Sequence, residues 1–425
     1  MRILHVWRDR KLVGMLTAED KTPNNGTKFR YDEGWLSDPS SEPLSPVLPL
    51  KNFEYDDDIC KTFFANLLPE SNARIVLERA FRVSGTFDFL KLFGSELSGG
   101  YSVLDPGEED EEGSLIPVNS GELKKLLESG SVGVIRLFKK YRLSLAGGQE
   151  KIAVVFNGKD FFIPTGREPS THILKPNIFG DPNLERTALN EAFVMRLLYH
   201  LGLPVAETKY DPDLNVVIVK RFDRLISDRR VIRLPQLDLC QAMGKYAEQK
   251  YEEQGGIGIR EMGPFFRKYA EDPLNCATVV ATGILAAALV GDMDHHAKNI
   301  SFFYEKGFLS PTPLYDVSNS MIYRGLQNTL AFSIGGISRV EKLDRISIQT
   351  FGKEIGIGRD AGVTIAKNLA ERMNAAIDKT LQDDEFSDLS IAQKSFVSNR
   401  IVSDIRNRVL AWTKALSGSR LIARP

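Results

Sequence analysis

The chain has 425 residues, of which 42% are hydrophobic and 26% are charged, with 34 glycines and 20 prolines. These are the proportions of an ordinary globular protein, and they exclude collagen-like, low-complexity and wholly disordered chains. With 55 Lys and Arg against 56 Asp and Glu, the formal net charge is -1. No bulk positive field therefore attracts the protein to nucleic acid or to an anionic membrane, and any contact with DNA needs a local patch or a partner.

Cysteine usage and apolar segments limit the class of protein further. Cys60, Cys240 and Cys276 form no C-x-x-C pair, which argues against a disulfide framework or a thiolate zinc site and favours a reducing compartment. Charged residues at 8–11 interrupt the N-terminal segment, so no secretory signal is predicted. The longest apolar run, 277–290, is shorter than the roughly 20 residues of a membrane span and predicts a buried helix.

The first hundred residues mix short segments of strand and helix character. Strands are predicted at 2–7 and 11–16 and a helix at 57–68, which together suggest a small N-terminal α/β subdomain over 1–105. The acidic stretch that follows, DPGEEDEEG at 105–113, predicts a solvated loop at a domain boundary; the alternative is an acidic docking site.

Residues 114–224 are predicted to form a strand-rich lobe with an antiparallel sheet. Its strands are predicted at 152–156, 161–163, 171–175 and 215–222, with a tight turn at Asn157-Gly158 between the first two. One helix is predicted at 185–201, where apolar residues recur every fourth position and Gly202 ends the pattern.

Residues 225–425 are predicted to form a helical lobe. Helices are expected at 236–243, 260–270, 274–290, 363–381 and 391–412. A strand-rich lobe followed by a helical lobe makes this an α+β chain with two lobes.

The segment GDMDHHAKN at 291–299 follows the predicted buried helix and contains the strongest chemical signal. Asp294 and Asn299 have the separation of the D-x-x-x-x-N pattern in kinase catalytic loops. Phosphoryl transfer to a hydroxyl needs a carboxylate that accepts the proton and oxygen ligands for Mg²⁺ on one rigid loop. Asp294 is therefore predicted as the base and Asn299 as a metal ligand.

A second acidic residue follows a predicted hairpin. Short strands at 300–304 and 308–309 would return the chain so that Tyr315-Asp316-Val317 lies beside Asn299. Asp316 would then stand where kinases place a second metal-binding aspartate. The alternative is that these Asp and Asn residues only cap turns.

His295 and His296 also lie in this loop but do not predict a zinc site. Adjacent side chains on a loop diverge, and no third ligand lies at metal spacing. A hydrogen bond that braces the loop, or a contact to the Asp294 carboxylate, is the expected role.

The strand-rich lobe contains candidates for contacts to a nucleotide. Ser144, Gly147, Gly148 and Lys151 lie in a segment of small residues just before a predicted strand. A turn of small residues at this place can bring backbone N–H groups close to phosphates. The alternative is an ordinary hairpin turn. Lys175 ends another strand, and Glu191 on the following helix would pair with it as in a kinase. The alternatives are an exposed strand-end lysine and a surface acid near a helix N-terminus.

Together these segments resemble the HipA toxin family of bacterial serine/threonine kinases. The resemblance extends from about 60 to 320 and rests on FFANLLPES, LSLAGGQEK, THILKPN, NEAFVMRLLYHLGLPV, VKRFDR, GDMDHHAKNIS and LYDVSNS, in the family's order. It implies a protein-kinase-like fold of two lobes with an extra N-terminal subdomain, and ATP and Mg²⁺ as cofactors. It also implies a cytoplasmic kinase that arrests growth.

Residue roles follow from the same resemblance. Asp294 would be the catalytic base and Asn299 and Asp316 the Mg²⁺ ligands. Contacts to ATP would come from Lys175 at the phosphates, Lys151, Gly147 and Gly148 in the nucleotide loop, and the backbone of Lys220 to Phe222 at the adenine. Ser144 would be autophosphorylated.

The resemblance further implies partners. The family's toxin pairs with an antitoxin, HipB, a small helix-turn-helix dimer that binds operator DNA and recruits the kinase. DNA contact would occur mainly through the antitoxin, and the substrate would be a component of the translation machinery, with glutamyl-tRNA synthetase the best-known target. No membrane partner is expected. The alternatives are a small-molecule kinase and a catalytically silent scaffold or corepressor.

Two departures from the family's pattern bear on the site. Asp292-Met293 precedes the base where members often have a small residue and Thr, so Asp292 would bind an extra cation or raise the pKa of Asp294 by repulsion. Lys220 stands where members can carry an acid, with little expected loss because backbone groups hold the adenine.

Overall fold

The computed structural model describes residues 1–19, 26–108, 113–130, 132–133, 135–136, 151–227 and 230–417. Two compact units make up the chain. Unit one comprises Met1–Gly180, Asp213–Ala247 and Ser301–Phe308, and unit two comprises Asp181–Pro212, Glu248–Ile300 and Leu309–Pro425. The expected domains at 1–105, 114–224 and 225–425 stay a prediction.

The described strands are short, and most of them lie in unit one. They are β1 (Arg2–Arg8), β2 (Lys11–Ala18), β3 (Lys28–Tyr31), β4 (Tyr101–Leu104), β5 (Ser114–Val118), β6 (Ile152–Phe156), β7 (Phe161–Thr165), β8 (His172–Pro176), β9 (Thr208–Asp211), β10 (Val216–Lys220), β11 (Arg224–Ser227), β12 (Arg230–Arg233), β13 (Gln236–Asp238), β14 (Ser301–Glu305) and β15 (Phe308–Pro311).

The described helices divide between the two units, with the longer ones in unit two. They are α1 (Glu33–Ser37), α2 (Asp57–Phe64), α3 (Ser71–Phe81), α4 (Gly85–Phe93), α5 (Ser120–Glu128), α6 (Thr187–His200), α7 (Leu239–Met243), α8 (Ile259–Tyr269), α9 (Pro273–Val290), α10 (Arg345–Ile355), α11 (Arg359–Leu381), α12 (Ile391–Phe396) and α13 (Ser403–Leu416). A π-helical segment, Val397–Val402, joins α12 to α13.

Unit one begins with a sheet in the order β3-β2-β1-β4. Alternate residues of β1 point into the core, where Leu4 and Val6 are fully buried. This confirms the two strands predicted near the N-terminus, and α2 extends over most of the predicted helix at 57–68. The sequence reading missed α3 and α4, which follow directly.

A second sheet of unit one contains the strands predicted in the strand-rich lobe. Its unit-one strands run in the order β5-β7-β6-β8-β10, and every pair with a described register is antiparallel. Lys175 on β8 lies opposite Val217 on β10. The predicted antiparallel sheet is therefore confirmed, and β6 has the predicted bounds.

Unit two is built around α9, the helix predicted to be buried. The Asp272 carboxylate caps its first turn by accepting a hydrogen bond from the Asn275 N–H, and Pro273 occupies the first turn. By length and composition α9 could cross a membrane, but 67% of that window is buried in the protein, against α8, α11 and α13 among others. It is therefore a core helix.

The region from 225 onward is mostly helical but also contains short strands. The helix predicted at 236–243 is β13 followed by α7, because the Asp238 side chain caps α7 and so delays its start. The helix predicted at 391–412 forms, with a π-helical interruption, and its apolar residues Val397, Ile401, Ile405 and Val409 are buried. The sequence reading missed α10.

Candidate active site

The loop at residues 292–299 begins at Gly291, a position where a side chain would clash with its neighbours. Gly291 ends α9 with φ +87, in the left-handed region. A Cβ atom at this position would lie 2.6 Å from Asn319 Oδ1 and 2.9 Å from the Arg408 guanidinium. The chain can therefore turn sharply into residues 292–299 while the 319 segment and α13 pack against the turn.

Asp294 and Asn299 lie together on this loop. The Asn299 Nδ2 donates a hydrogen bond to the Asp294 main-chain oxygen at 3.1 Å, and the His296 N–H donates to the same oxygen at 2.8 Å. Asn299 is buried, whereas the side chain of Asp294 is exposed. Since the amide nitrogen of Asn299 is used to close the loop, its amide oxygen is the atom available as a metal ligand.

The segment that contains Asp316 packs against the same loop. The Tyr315 hydroxyl donates to the Lys298 main-chain oxygen at 2.7 Å, and the Met321 N–H donates to the Gly291 main-chain oxygen at 3.1 Å. Asp316 itself has φ +59, an uncommon conformation for a residue with a side chain. Backbone strain of this kind concentrates at functional sites because the surrounding contacts must hold it.

Asp292 joins the 292–299 loop to the segment that contains Asp316. Its carboxylate oxygens accept hydrogen bonds from the Asp294 N–H at 2.8 Å and the Ser318 N–H at 3.3 Å. Burial, followed by the charge of Asp294 and with a contribution from Asp316, raises the pKa of Asp292 well above its ordinary value. Both carboxylate oxygens are thus used to hold the backbone, a role that the sequence reading did not assign to Asp292.

A polar network from unit two holds the segment after Asp316. Asn190 on α6 donates through Nδ2 to the Asn319 main-chain oxygen at 2.9 Å, and Asn319 donates through its own Nδ2 to Asp404 at 2.8 Å. Arg408 on α13 donates to Asp404 at 2.6 Å and to the Leu289 main-chain oxygen at 3.1 Å. The last helix therefore fixes both the end of α9 and the segment that follows Asp316.

The two histidines of the loop differ from the expectation. Both ring nitrogens of His295 are buried without a hydrogen-bond partner among the described residues, and burial lowers the pKa of His295 to about 4. Burial likewise lowers the pKa of His296 well below its ordinary value. The expected side-chain hydrogen bond that braces the loop is therefore not seen for His295 among the described residues.

Tyr251 reaches the site from 43 residues upstream and was missed by the sequence reading. Its hydroxyl donates a hydrogen bond to Asp294 Oδ1, and its ring packs edge-on against His296 with centroids 5.1 Å apart. Nothing in the local pattern around Tyr251 marks it, because its role depends on a fold contact between distant segments.

The predicted nucleotide-contacting residues of the described chain lie in unit one. Lys175 is buried on β8, Lys151 directly precedes β6, and Lys220 is the exposed last residue of β10. Phe222 packs edge-on against Phe303 with centroids 6.0 Å apart. Ser144, Gly147 and Gly148 fall outside the described residues, as do residues 109–112 of the acidic stretch at 105–113.

The predicted ion pair between Lys175 and Glu191 stays a prediction. Glu191 is buried on α6 in unit two, whereas Lys175 belongs to unit one. Burial of both side chains excludes the two alternatives left open by the sequence, an exposed strand-end lysine and a surface acid.

A buried ionic cluster, which we define as Glu96, Arg221, Asp223, Arg224 and Arg233, flanks Phe222. Arg221 donates to Asp223 at 2.7 Å, and Arg224 and Arg233 donate to Glu96 at 3.0 and 2.9 Å. Burial opposes ionisation of Glu96, but Arg224, Arg233 and Arg221 outweigh it and lower the pKa of Glu96 to about 2. The cluster joins the segment after α4 to the chain that follows β10.

The donor set of the loop fits a hard divalent cation. An amide oxygen from Asn299 and a carboxylate from Asp316 are ligands that Mg²⁺ prefers, and an exposed carboxylate such as that of Asp294 is the kind of group that accepts the proton of an acceptor hydroxyl. Among the described residues no group of three His, Cys, Asp or Glu is arranged to hold a metal. Loop and fold together define a kinase-like protein.

Family comparisons agree with this class. Residues 4–104 match the model of the HipA N-terminal domain, and residues 143–381 match the model of the HipA-like C-terminal domain. The chain belongs to the HipA family, and it is a kinase of the HipA type. The resemblance inferred from the sequence motifs is confirmed.

Individual relatives match over most of their length. A Sinorhizobium fredii protein named "Putative kinase Y4mE" is 33% identical, over 90% of this chain and 93% of its own. The Shewanella oneidensis serine/threonine-protein kinase toxin HipA is 29% identical, over 82% of each chain. In the solved complex of Shewanella oneidensis HipA with HipB and operator DNA, the matching chain is 25% identical, with a TM-score of 0.84 over 97% of this chain and 98% of that one. This confirms the predicted fold class.

Proposed function

We propose that this protein is an ATP- and Mg²⁺-dependent serine/threonine protein kinase that acts in the cytoplasm as the toxin of a type II toxin-antitoxin pair. The observation that carries the proposal is that Asp294 and Asn299 lie on one braced loop, against which the Asp316 segment packs. The named activity of the Shewanella oneidensis relative supports the same reaction.

Each site residue then has a defined task in phosphoryl transfer. Asp294 accepts the proton of the acceptor hydroxyl as that oxygen bonds to the γ-phosphorus and the bond to the ADP oxygen breaks. Asn299 and Asp316 would hold Mg²⁺, which supplies charge neutralisation at the phosphates. Lys175, Lys151 and the Gly147-Gly148 turn bind the phosphates, and the backbone from Lys220 to Phe222 binds the adenine, with Glu191 paired to Lys175.

Partners and substrate are proposed from the family. A HipB-like helix-turn-helix dimer is the antitoxin, and it provides most of the contact with operator DNA. The solved assembly of the Shewanella oneidensis relative with HipB and operator DNA supports this arrangement. The protein substrate belongs to the translation machinery, with glutamyl-tRNA synthetase the first candidate to test, and Ser144 is the autophosphorylated residue.

The deciding experiment is incubation of the purified protein with labelled ATP and Mg²⁺, followed by mapping of the phosphorylated residues. Asp294→Ala should slow transfer about 10²- to 10⁴-fold, because positioned proton transfer is lost, while ATP affinity and folding are retained. Asp360→Ala, which removes an exposed carboxylate on α11 of the same unit, is the matched control and should behave as wild type.

Two results would contradict the proposal. Labelling by Asp294→Ala at the wild-type rate would remove Asp294 as the base. Transfer of label only to a small molecule such as an aminoglycoside, and to no protein, would replace a protein kinase with a small-molecule kinase.

A further inference from the structure

The side chain of Asp294 is exposed, and an exposed carboxylate ordinarily samples several rotamers. The backbone at this position is fixed, because the Asp294 N–H donates to Asp292 and its main-chain oxygen accepts from His296 and Asn299. These contacts do not determine where the carboxylate points. A base must be held within reach of the hydroxyl that it deprotonates, so a further contact to the carboxylate matters for the rate.

Tyr251 makes that contact, through a hydroxyl that donates to Asp294 Oδ1. A phenol donating to a carboxylate is a charge-assisted hydrogen bond, stronger than one between neutral groups. With Oδ1 engaged in this way, the carboxylate has a preferred orientation.

The position of Tyr251 is itself determined by several contacts. Its ring packs edge-on against the buried His296, which burial keeps neutral, and the Lys250 ammonium lies 5.4 Å from the ring centroid on its face. The Lys250 main-chain oxygen accepts a hydrogen bond from the Ala297 N–H at 3.1 Å. The 250–251 segment is therefore attached to the loop at His296 and Ala297, just after Asp294.

We infer that Tyr251 is a positioning residue, which holds the Asp294 carboxylate by Oδ1 in the orientation in which it meets the acceptor hydroxyl. The inference rests on the proposed function, since it needs Asp294 to be the base. It assigns Tyr251 no contact with ATP or with the acceptor, so it predicts an effect on the rate of transfer and none on nucleotide affinity.

The test is Tyr251→Phe in the full chain, because this change removes the hydroxyl and keeps the ring against His296. Loss of a hydrogen bond to a charged group should reduce kcat for phosphoryl transfer about 10- to 100-fold. The KM for ATP and the thermal midpoint should equal those of wild type. Tyr210→Phe is the matched control, since it removes the hydroxyl of a buried tyrosine of unit two that accepts from Gln393.

A double-mutant comparison separates positioning from a general structural effect. In the Asp294→Ala background there is no carboxylate to orient, so adding Tyr251→Phe should leave the residual rate unchanged. A further loss in that background, or a wild-type kcat for Tyr251→Phe alone, would overturn the inference while leaving the kinase proposal intact. A wild-type chain that transfers no phosphate would overturn the proposed function, and the inference with it.

Discussion

At the scale of single residues, the site depends on three aspartates with different environments. Asp294 is exposed and faces solvent, Asp292 is buried and uses both oxygens on backbone N–H groups, and Asp316 holds a left-handed backbone. The same side chain thus occurs in three different environments: Asp292 supports the backbone, whereas a base at Asp294 and a metal ligand at Asp316 are the roles that we propose.

The role of Asp316 leads to a prediction about metal-dependent binding. Asp316→Ala removes one of the proposed ligands, so the affinity for ATP in the presence of Mg²⁺ should fall about 10- to 100-fold, the worth of one interaction with a charged group. Titration calorimetry with ATP, with Mg²⁺ and then with EDTA, measures this directly. With EDTA present, Asp316→Ala and wild type should bind ATP alike.

Equal Mg²⁺-dependent affinity for the variant and for wild type would remove Asp316 from the metal site. The control is Asp388→Ala, which deletes an exposed carboxylate of unit two outside the loop.

At the scale of elements, the buried ionic cluster shows how a short segment is fixed without a large apolar contact. Glu96 lies just after helix α4. Its partners Arg224 and Arg233 lie on the paired strands β11 and β12. Glu96 also accepts a hydrogen bond from the Ser170 hydroxyl at 2.8 Å. The segment 220–224, which includes the proposed adenine contact, is thereby tied to the N-terminal part of unit one.

Removing the charge of Glu96 should therefore destabilise unit one. Glu96→Gln leaves the cluster arginines without their shared carboxylate, and breaking a buried pair from one side costs about 3 to 5 kcal/mol. The measurement is urea unfolding followed by fluorescence, with the exposed Glu33→Gln of unit one as control. A free energy of unfolding equal to that of wild type would show that the cluster does not hold the segment.

The pH dependence of this contribution has a defined sign. The pKa of Glu96 is lowered from 4.5 to about 2, so its stabilising effect is complete above its ordinary value and is lost as the pH falls toward 2. The free energies of unfolding of Glu96→Gln and of wild type should accordingly become equal only in strongly acidic solution.

At the scale of the whole molecule, the proposed phosphorylation of Ser144 should require an encounter between two molecules. Phosphorylation would add about -1.5 to -2 charges to the loop that we propose binds the ATP phosphates, and the repulsion should weaken ATP binding. Under this proposal the loop covers the phosphates and cannot readily bring its own Ser144 to Asp294, so one molecule should phosphorylate another. The initial labelling rate per molecule should then rise with protein concentration.

Two variants test this expectation. Ser144→Ala should abolish labelling at that residue and retain wild-type ATP affinity. Asp294→Ala, mixed with active protein, should be labelled at Ser144 even though it transfers no phosphate itself. A labelling rate per molecule that does not change with concentration would indicate transfer within one chain, and tight ATP binding by the phosphorylated form would contradict the repulsion.

The sequence alone determined the antiparallel strands, the buried helix before the catalytic loop and the family of the chain. Local patterns suffice for these features because each lies within a short stretch of sequence. Strands show apolar residues at every second position, helices show them at every third or fourth, and Asp294 and Asn299 are five residues apart. The apolar run at 277–290 predicted most of α9, and the expected helix at 274–290 ends where the observed one does, at Val290. Helices α3 and α4 were missed because, at 11 and 9 residues, they are short for a periodic pattern to be recognised.

Only the tertiary structure showed how distant segments complete the site. The hydroxyl of Tyr251 on Asp294, the bridging of two segments by Asp292, and the network from Asn190 to Arg408 all join residues far apart in the chain. A single sequence carries no record of such pairings. Their energies come from burial and hydrogen-bond geometry, and both exist only once the chain has folded.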